Sequence, residues 1–544
     1  MPKPFNAASY LVDRQISRGH GGRTAVAGPR GTLTYAELGS RVRRAAAGLR
    51  AIGLRPEERV MVFSADGPEM LVMLLAAMRA GAVPVPVSTM YRSGELGELL
   101  RDARARFLVV SADFAETAQA AAREAPDLAG VVAIDDADVR PGRGTRVTYE
   151  ELLGLGAGED AGPDATHDDS PALWLYTSGT TGTPKAAMHR HANIRQVVES
   201  YGTQVLGATA DDRCFSVAKL FFAYGLGNAA FFPLAAGATA VLDPARPTPA
   251  SVAARLAEDL PTLFFAGPTF FAALLHSPDI ADDAFAPVRF AVSAGEALPA
   301  ELFTRFRDRF GIEIVDGIGS TEALHIFLSN RPGAVRPGTT GTPVPGYDLE
   351  LRTADGREAA DGEPGNLFLR GPSLATGYWA RTDTSRAVFQ GEWLATGDIY
   401  VRDADGYYAC LGRDNDMIKA GGIWVSPSEV EARLLSHPSV AQAAVVAAPD
   451  ADGLDKPVAC VVAAPGHTVD AGALVAHCRE GLAAFKRPRH VFVFDALPMT
   501  ATGKLRRYVL RSVVAERLRE EEKREGKKAE AAAAAGTVPE EQSA

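Results

Sequence analysis

The chain has 544 residues, of which 47% are hydrophobic and 23% are charged, and its formal net charge is −10 at pH 7. This composition is typical of a globular protein with a large core, and the length predicts several domains. The acidic balance argues against nucleic acid as the main partner. The most apolar segment, residues 69–87, contains Arg79, Gly81 and two prolines, so it is not expected to span a membrane.

The cysteine usage indicates a reducing compartment. Four cysteines are far apart in the sequence and form no CxxC pair. This excludes a disulfide scaffold and a zinc ribbon. The N-terminal residues also lack the continuous apolar run of a secretory signal. We therefore expect a cytoplasmic protein with no membrane or nucleic-acid partner.

The N-terminal part of the chain alternates helix and strand patterns. Thr34 and Glu37 form a capping-box pattern that opens a helix through about Ala51. Apolar strand patterns follow at residues 59–64 and 83–87, with a helix between them, and further strands are predicted at 262–267 and 289–295. This alternation predicts an α/β domain with parallel or mixed sheets, whose ligands bind where loops leave the strand ends.

The pattern changes after residue 412, where shorter helix and strand signals predict a small α+β domain. We predict a large domain at 1–412 and a small mobile domain at 413–519, with a hinge at 413–416. Residues 520–544 are charged, alanine-rich and free of aromatic side chains. That composition predicts a disordered tail.

The stretch YTSGTTGTPK, at residues 176–185, resembles a phosphate-binding loop. Glycine and hydroxyl residues allow several donors to face one anion, and Lys185 adds positive charge. The spacing differs from a P-loop, and Ala186 stands where that motif has a serine or threonine for magnesium. An ordinary flexible loop is the alternative.

Two further stretches offer carboxylates for nucleotide binding. GIGSTE, at 317–322, ends in Glu322, whose oxygens suit Mg²⁺. ATGD, at 395–398, ends in Asp398, which could hold ribose hydroxyls. Each is weak alone, since such carboxylates are more often solvated.

Together, the ordered motifs resemble those of the acyl-adenylate-forming ligases, over nearly the whole chain outside the tail. The motifs are YTSGTTGTPK, SAGEALP (293–299), GIGSTE, ATGD, GRDNDMIKAGGIWVSPSEVE (412–431) and PMTATGK (498–504). KLFFAYGLGN (219–228) and DGIGSTEALHIFLSN (316–330) are most similar to benzoate–CoA ligases. The resemblance implies a two-step reaction, in which a carboxylate and ATP form an acyl-adenylate and pyrophosphate, and coenzyme A then displaces AMP.

The resemblance also implies site residues for ATP and Mg²⁺. Glu322 would bind the metal, and Thr321 would reach the α-phosphate. Asp398 and Arg413 would hold the ribose. The β- and γ-phosphates would lie against Thr177, Ser178, Gly179, Thr180, Thr181 and Lys185. The adenine pocket would be lined by Ser293, Ala294, Gly295, Glu296, Ala297, Asp316, Gly317 and Ile318.

In the small domain, the resemblance implies roles for Lys504 and Gly422. Lys504 would bridge the substrate carboxylate and the α-phosphate, although a lysine in such a turn is often merely solvated. Gly422 would line the pantetheine tunnel for coenzyme A; otherwise it is a turn glycine. The hinge position, where relatives usually carry aspartate or lysine, is Asn415 here. Because asparagine tolerates unusual backbone angles, pivoting is still expected.

The resemblance places the acyl pocket at Phe222, Ala223, Tyr224, His325 and Ile326. By composition alone these would be core residues. The stretch FFAYGLG lacks the acidic residue that amino-acid-activating relatives use, so a flat apolar slot for a small aryl acid is expected. We predict an aryl-carboxylate–CoA ligase acting on benzoate or a simply substituted benzoate, with a homodimer as one possible assembly. The rivals are an adenylation enzyme that loads a carrier-protein thiol and a non-catalytic binding module.

Overall fold

The computed structural model describes residues 3–158, 162–178, 184–420, 423–449, 455–499 and 505–535. The chain divides into two compact units, Met1–Cys410 and Leu411–Ala544. Across the described ranges, no helix is both long enough and apolar enough to cross a membrane.

Strands β1 to β21 belong to three larger sheets and one hairpin. Their bounds are β1 Thr24–Ala27, β2 Leu33–Thr34, β3 Arg59–Phe63, β4 Val83–Pro86, β5 Ala105–Ser111, β6 Gly130–Ile134, β7 Thr145–Thr148, β8 Pro171–Ser178, β9 Pro184–Arg190, β10 Arg213–Ser216, β11 Thr239–Val241, β12 Leu263–Ala266, β13 Phe290–Ser293, β14 Ile314–Gly319, β15 Ile326–Ser329, β16 Thr342–Pro343, β17 Asp348–Arg352, β18 Gly365–Arg370, β19 Phe389–Gln390, β20 Trp393–Arg402 and β21 Tyr408–Arg413.

The first sheet is parallel and has the order β4-β3-β5-β6-β7. Its central strands are apolar and buried, as expected for a sheet covered on both faces. Pro84 and Pro86 lie in β4 at the edge, where the missing N–H groups remove no bond from the middle of the sheet. The predicted strand–helix–strand order over residues 59–86 is confirmed.

The helices of this unit connect and cover the sheets. In the first of them, the Thr34 side chain accepts from the Glu37 N–H and Glu37 bonds back to the Thr34 N–H, so the predicted capping box is present. The bounds are α1 Tyr35–Ala51, α2 Pro68–Arg79, α3 Ser93–Asp102, α4 Ala115–Arg123, α5 Tyr149–Leu155, α6 His191–Val197, α7 Ala223–Leu226, α8 Phe232–Ala236, α9 Pro249–Asp259, α10 Pro268–His276, α11 Ala300–Phe310 and α12 Thr382–Val388. Short π-helical turns occur at Ser9–Asp13, Ile16–His20, Val198–Val205 and Gly227–Phe231, and a 3₁₀ turn at Ala112–Phe114.

The second sheet has nine strands and carries four of the candidate adenine residues, Ser293, Asp316, Gly317 and Ile318. Its order is β16-β15-β14-β13-β12-β10-β11-β1-β2. Six strands of this sheet, β14, β13, β12, β10, β11 and β1, run parallel to one another. Strands β2, β15 and β16 are antiparallel to their neighbours. Because β13 and β14 are parallel neighbours, the loops after them leave the same edge, where ligands of α/β folds bind.

Two antiparallel assemblies complete this unit. One is a sheet of order β17-β18-β20-β19 with β21 paired to β20. The other is the hairpin of β8 and β9, in which Thr177 lies opposite Lys185. The hairpin therefore brings the two ends of the glycine-rich stretch together.

The second unit is a smaller α+β assembly. Its strands are β22 Ile418–Ala420, β23 Ile423–Val425, β24 Val440–Pro449, β25 Asp455–Ala463 and β26 His490–Val493. Its helices are α13 Pro427–Leu435, α14 Ala471–Gly481 and α15 Arg507–Ala535, with 3₁₀ turns at Asp414–Asp416 and Ala484–Lys486. The strands form a three-stranded sheet, β24-β25-β26, and a β22-β23 pair. The predicted fold class, a large α/β domain with a small α+β domain, is confirmed.

The last helix enters the segment for which composition predicts a disordered tail. Helix α15 runs from Arg507 to Ala535, and the predicted tail at 520–544 stays a prediction. The segment after 519 is rich in Glu, Lys, Arg and Ala, which are strong helix formers. A segment without aromatic residues contributes little to a hydrophobic core. Such a segment can still form a helix.

Candidate active site

The β8–β9 hairpin presents the phosphate-loop candidates. Thr177 pairs with Lys185, and the backbone of Ser178 pairs with that of Pro184. Gly179, Thr180 and Thr181 lie outside the described residues, so their predicted role stays a prediction.

Strand β9 is tied to the GIGSTE loop through a buried histidine. His189 Nδ1 lies 2.9 Å from Asn193 Nδ2, and His189 Nε2 lies 2.8 Å from the Thr321 carbonyl oxygen. Burial lowers the pKa of His189 to about 4, so the ring is neutral near pH 7. Because the Asn193 amide donates to Nδ1, the ring proton is on Nε2 and is donated to Thr321. The chain segment before Glu322 is thereby fixed to the hairpin.

Glu322 and Lys185 are connected through Tyr378. The Tyr378 hydroxyl donates to Glu322 Oε1 at 2.6 Å, and Lys185 Nζ lies 4.8 Å from the centroid of the Tyr378 ring. The Ala375 N–H also donates to the Glu322 carbonyl oxygen at 2.8 Å. The structure therefore brings Lys185, Thr321 and Glu322 into one neighbourhood.

The donor set suits a magnesium ion held with phosphates. Across the described ranges, no group of three or more His, Cys, Asp or Glu side chains forms a self-sufficient metal site. Mg²⁺ bound beside a nucleotide commonly takes one or two carboxylates and completes its shell with phosphate and water. Tyr378 donates to Glu322 Oε1, and the other carboxylate oxygen, Oε2, could ligate a metal.

The candidate adenine residues follow two neighbouring strand ends. Ser293 and Asp316 are in register at the ends of β13 and β14. Both are buried, and among the residues described Ser293 Oγ and Asp316 Oδ1 make no hydrogen bond of good geometry. Burial raises the pKa of Asp316 well above its ordinary value. Unpartnered buried polar atoms are costly, so this edge fits a polar ligand.

The loop after β13 contains a glycine in a left-handed backbone conformation. Gly295 has φ +97°, and a Cβ there would meet nothing within 4 Å. Glu296 Oε2 accepts from Thr269 Oγ1 at 2.8 Å, so this side chain is turned toward α10. The other predicted residues of this pocket lie in the same loop or in β14, and they are Ala294, Ala297, Gly317 and Ile318.

The candidate acyl residues meet around His325. The rings of Tyr224 and His325 stack at 5.6 Å, and Phe232 meets His325 edge-on at 4.6 Å. The Tyr224 hydroxyl donates to the Val292 carbonyl oxygen at 3.0 Å. Tyr224 follows directly after Phe222 and Ala223, and Ile326 is buried beside His325 in the sequence. The structure thus places the rings of Tyr224 and His325 in contact, and the acyl-pocket assignment stays a prediction.

The ring of His325 is enclosed and uncharged. Burial lowers its pKa to about 3, and among the described residues neither ring nitrogen makes a hydrogen bond of good geometry. Tyr201 packs on it at 5.3 Å. A Cβ on Gly227 would approach His325 Cδ2 to 2.2 Å, so the glycine makes room for the ring.

The two ribose candidates belong to different units, so each is described by itself. Asp398 is buried in β20, and its N–H donates to Thr396 Oγ1 at 3.1 Å. Arg413 is an exposed residue of the second unit. Asp416, just after the predicted hinge residue Asn415, is ion-paired with Arg507 at 3.5 Å and also contacts Arg511. Gly422 and Lys504 lie outside the described residues.

Comparison with known proteins identifies the family. A family model described as AMP-binding enzyme matches residues 12–379, and one for the C-terminal domain of AMP-binding enzymes matches residues 429–504. The chain belongs to the AMP-binding enzyme family. This assignment agrees with the acyl-adenylate-forming resemblance found from the motifs.

Relatives of this AMP-binding enzyme are similar over nearly their whole length. A 4-hydroxybenzoate–CoA/benzoate–CoA ligase of Rhodopseudomonas palustris is 43% identical, covering 94% of each chain. A benzoate–CoA ligase of Thauera aromatica is 43% identical, covering 94% of this chain and 97% of the relative. The solved structure of a benzoate CoA ligase from Burkholderia xenovorans superposes with a TM-score of 0.86 at 42% identity, covering 93% and 100%.

Sequence reasoning did not single out four residues that contact the candidate site. They are His189, Asn193, Gly227 and Tyr378. Gly227 lies inside the quoted stretch KLFFAYGLGN, whose close pair of glycines was a usable signal. Tyr378 and His189 form hydrogen bonds with residues that are distant in the sequence, and a short motif does not reveal such contacts.

Proposed function

We propose that the protein is an ATP-dependent aryl-carboxylate–CoA ligase that acts on benzoate or a simply substituted benzoate. The near full-length similarity to benzoate–CoA ligases carries this proposal. The enzyme is an AMP-forming acid–thiol ligase that uses ATP, Mg²⁺ and CoA. A carboxylate oxygen attacks the α-phosphorus, the bond between the α-phosphorus and the bridging oxygen breaks, and pyrophosphate leaves. The CoA thiol then loses its proton, forms the thioester and releases AMP.

In the first step, two anions must approach one another, so the protein's task is electrostatic. Lys185 and Thr177, opposite each other in the hairpin, would hold the β- and γ-phosphates together with the loop between them. Bound Mg²⁺ would offset phosphate charge, with Glu322 as its protein ligand and Thr321 toward the α-phosphate. Lys504 would bridge the reacting carboxylate and phosphate.

The nucleotide's base and sugar have separate proposed contacts. The adenine would fit at the ends of β13 and β14, where Ser293 and Asp316 carry unpartnered polar atoms within the described ranges. Asp398 and Arg413 would hold the ribose hydroxyls. Support for the base position comes from the general tendency of α/β folds to bind ligands at this edge.

The aryl ring would lie against Tyr224 and His325, beside Phe222, Ala223 and Ile326. The low pKa of His325 leaves its ring neutral. The pocket therefore offers no positive histidine charge to a second ionised group on the substrate. A hydroxyl or amino group on the ring could bond an unpartnered nitrogen of His325. One small polar substituent is therefore compatible with this pocket.

We predict that Gly227→Ala lowers kcat/KM for benzoate by about 10- to 200-fold. The new methyl group would stand 2.2 Å from His325 Cδ2, and the ring is enclosed by Tyr224, Phe232 and Tyr201. The measurement is benzoate-dependent pyrophosphate release, with the KM for ATP expected to stay near the wild-type value.

Gly94→Ala in α3 is the matched control, because a Cβ there meets nothing within 4 Å. Equal losses for the two variants would contradict the pocket assignment. So would a Gly227→Ala variant with wild-type benzoate kinetics.

For the two half-reactions we propose a large domain at 1–412 and a small domain at 413–519 that rotates about residues 413–416. Lys504 would act in adenylation, and Gly422 would line the pantetheine path after rotation. Asn415 would serve as the pivot. The ion pair of Asp416 with Arg507 supports this division, because it fixes the chain just beyond the pivot to the second unit.

We also propose that the enzyme works in the cytoplasm and forms a homodimer. All four cysteines are free, which suits a reducing compartment. The molar mass in solution would test the dimer.

A pyrophosphate-release panel tests the proposed substrate class. The acids are benzoate, hydroxybenzoates, aminobenzoates, cyclohexanecarboxylate and short to medium fatty acids. We expect the highest kcat/KM for benzoate or a singly substituted benzoate, with a graded preference, because one apolar contact changes discrimination by only about 1–3 kcal/mol. Octanoate as the best substrate would refute the aryl assignment.

A further inference from the structure

Tyr378 stands between the two oppositely charged groups of the candidate site. Its hydroxyl donates to Glu322 Oε1 at 2.6 Å, and its ring carries Lys185 Nζ at 4.8 Å from the centroid. We propose that Tyr378 is a positioning residue that keeps Glu322 and Lys185 apart and oriented, so that the carboxylate faces Mg²⁺ and the ammonium faces the phosphates. This inference rests on the proposed function and concerns a residue outside the motifs.

The backbone around Tyr378 is fixed to both sides of the site. The Met188 N–H donates to the Gly377 carbonyl oxygen at 3.0 Å, and the Trp379 N–H donates to the Ala186 carbonyl oxygen at 2.9 Å. On the other side, the Ala375 N–H donates to the carbonyl oxygen of Glu322 at 2.8 Å. The tyrosine therefore keeps its place relative to the hairpin and to the GIGSTE loop.

The chemistry of the phenol suits both contacts. Tyr378 is only 5% exposed, and its hydroxyl donates to the Glu322 carboxylate. The electron-rich ring face attracts the lysine ammonium. The two contacts use different parts of one side chain, so they can form together.

Lys185 and Glu322 each contact Tyr378 and do not pair directly. Both residues are described by the structure, and they form no ion pair within 4.0 Å of each other. A direct pair would neutralise the two groups and would have to break before phosphate and metal could bind. With Tyr378 between them, Glu322 Oε2 and the lysine charge both remain usable.

Two substitutions separate the two contacts. Tyr378→Phe keeps the ring and removes the hydroxyl, so the Mg²⁺ concentration for half-maximal adenylation should rise about 10-fold, as for loss of a hydrogen bond to a charged group. Tyr378→Leu removes the ring as well, so the KM for ATP at saturating Mg²⁺ should also rise. Calorimetric titration with Mg·ATP, without any carboxylic acid, gives a readout that does not depend on turnover. The dissociation constant of Mg·ATP should increase from wild type to Tyr378→Phe and again to Tyr378→Leu.

Tyr10→Phe is a matched control, because Tyr10 also donates to a glutamate, Glu199, and carries a cation, Arg14, over its ring. It should leave Mg²⁺ dependence and Mg·ATP binding unchanged. Wild-type Mg²⁺ dependence and Mg·ATP affinity in Tyr378→Phe would overturn the proposal, as would a loss confined to kcat. If wild-type protein binds Mg·ATP but releases no pyrophosphate with any acid, the proposed function fails, and the calorimetric comparison still decides the role of Tyr378.

Discussion

Lys504→Ala is expected to slow benzoyl-adenylate formation by about 100- to 1,000-fold, the usual loss when one preorganised donor to developing charge is removed. The same variant should form benzoyl-CoA from supplied benzoyl-adenylate at the wild-type rate. The reason is that, in the proposed mechanism, Lys504 would offset the repulsion between carboxylate and α-phosphate, which exists only in the first step. Rotation of the small domain would withdraw it before the second.

The measurement compares the two half-reactions in single-turnover experiments. Lys486→Ala is the control, because Lys486 belongs to the same unit and pairs with Glu429 at 2.6 Å. It should leave both half-reactions intact. Equal loss of both half-reactions in Lys504→Ala would contradict the separation of roles.

Gly422→Leu is expected to show the opposite pattern. A bulky side chain in the pantetheine path would block CoA while leaving the adenylation site unchanged, so benzoate-dependent pyrophosphate exchange should survive. Benzoyl-CoA formation should fall by about 100-fold or more, since the obstruction has to be displaced for the thiol to reach the adenylate.

A graded series makes this test sharper. Gly422→Ala should lie between wild type and the leucine variant in benzoyl-CoA formation, with pyrophosphate exchange unchanged in both. If pyrophosphate exchange falls in parallel with thioester formation across the series, Gly422 has a structural role and the tunnel is misplaced.

Local patterns predicted the elements that depend on local physics. The capping box of Thr34 and Glu37 opens α1 as expected, because its bonds join residues three apart. The apolar strand patterns at 59–64 and 83–87 are present as β3 and β4. The assignment of the adenine, ribose and magnesium residues came from ordered family motifs, which periodicity alone could not have supplied.

Contacts between distant segments could not be predicted from local patterns. Tyr378 reaches Glu322 across 56 positions, and His189 reaches Thr321 across 132. Each of these side chains, taken alone in the sequence, is typical of a core residue. Their roles depend on which strands the fold brings together.

The most direct test of the central claim is the product balance of the wild-type enzyme with benzoate, Mg·ATP and CoA. Chromatography with mass detection should give benzoyl-CoA, AMP and pyrophosphate in equal amounts, with none of the three formed when benzoate is omitted. A parallel reaction should replace CoA with a phosphopantetheine-bearing carrier protein. Benzoate-dependent AMP and pyrophosphate without benzoyl-CoA, together with loading of the carrier, would contradict the CoA-ligase assignment.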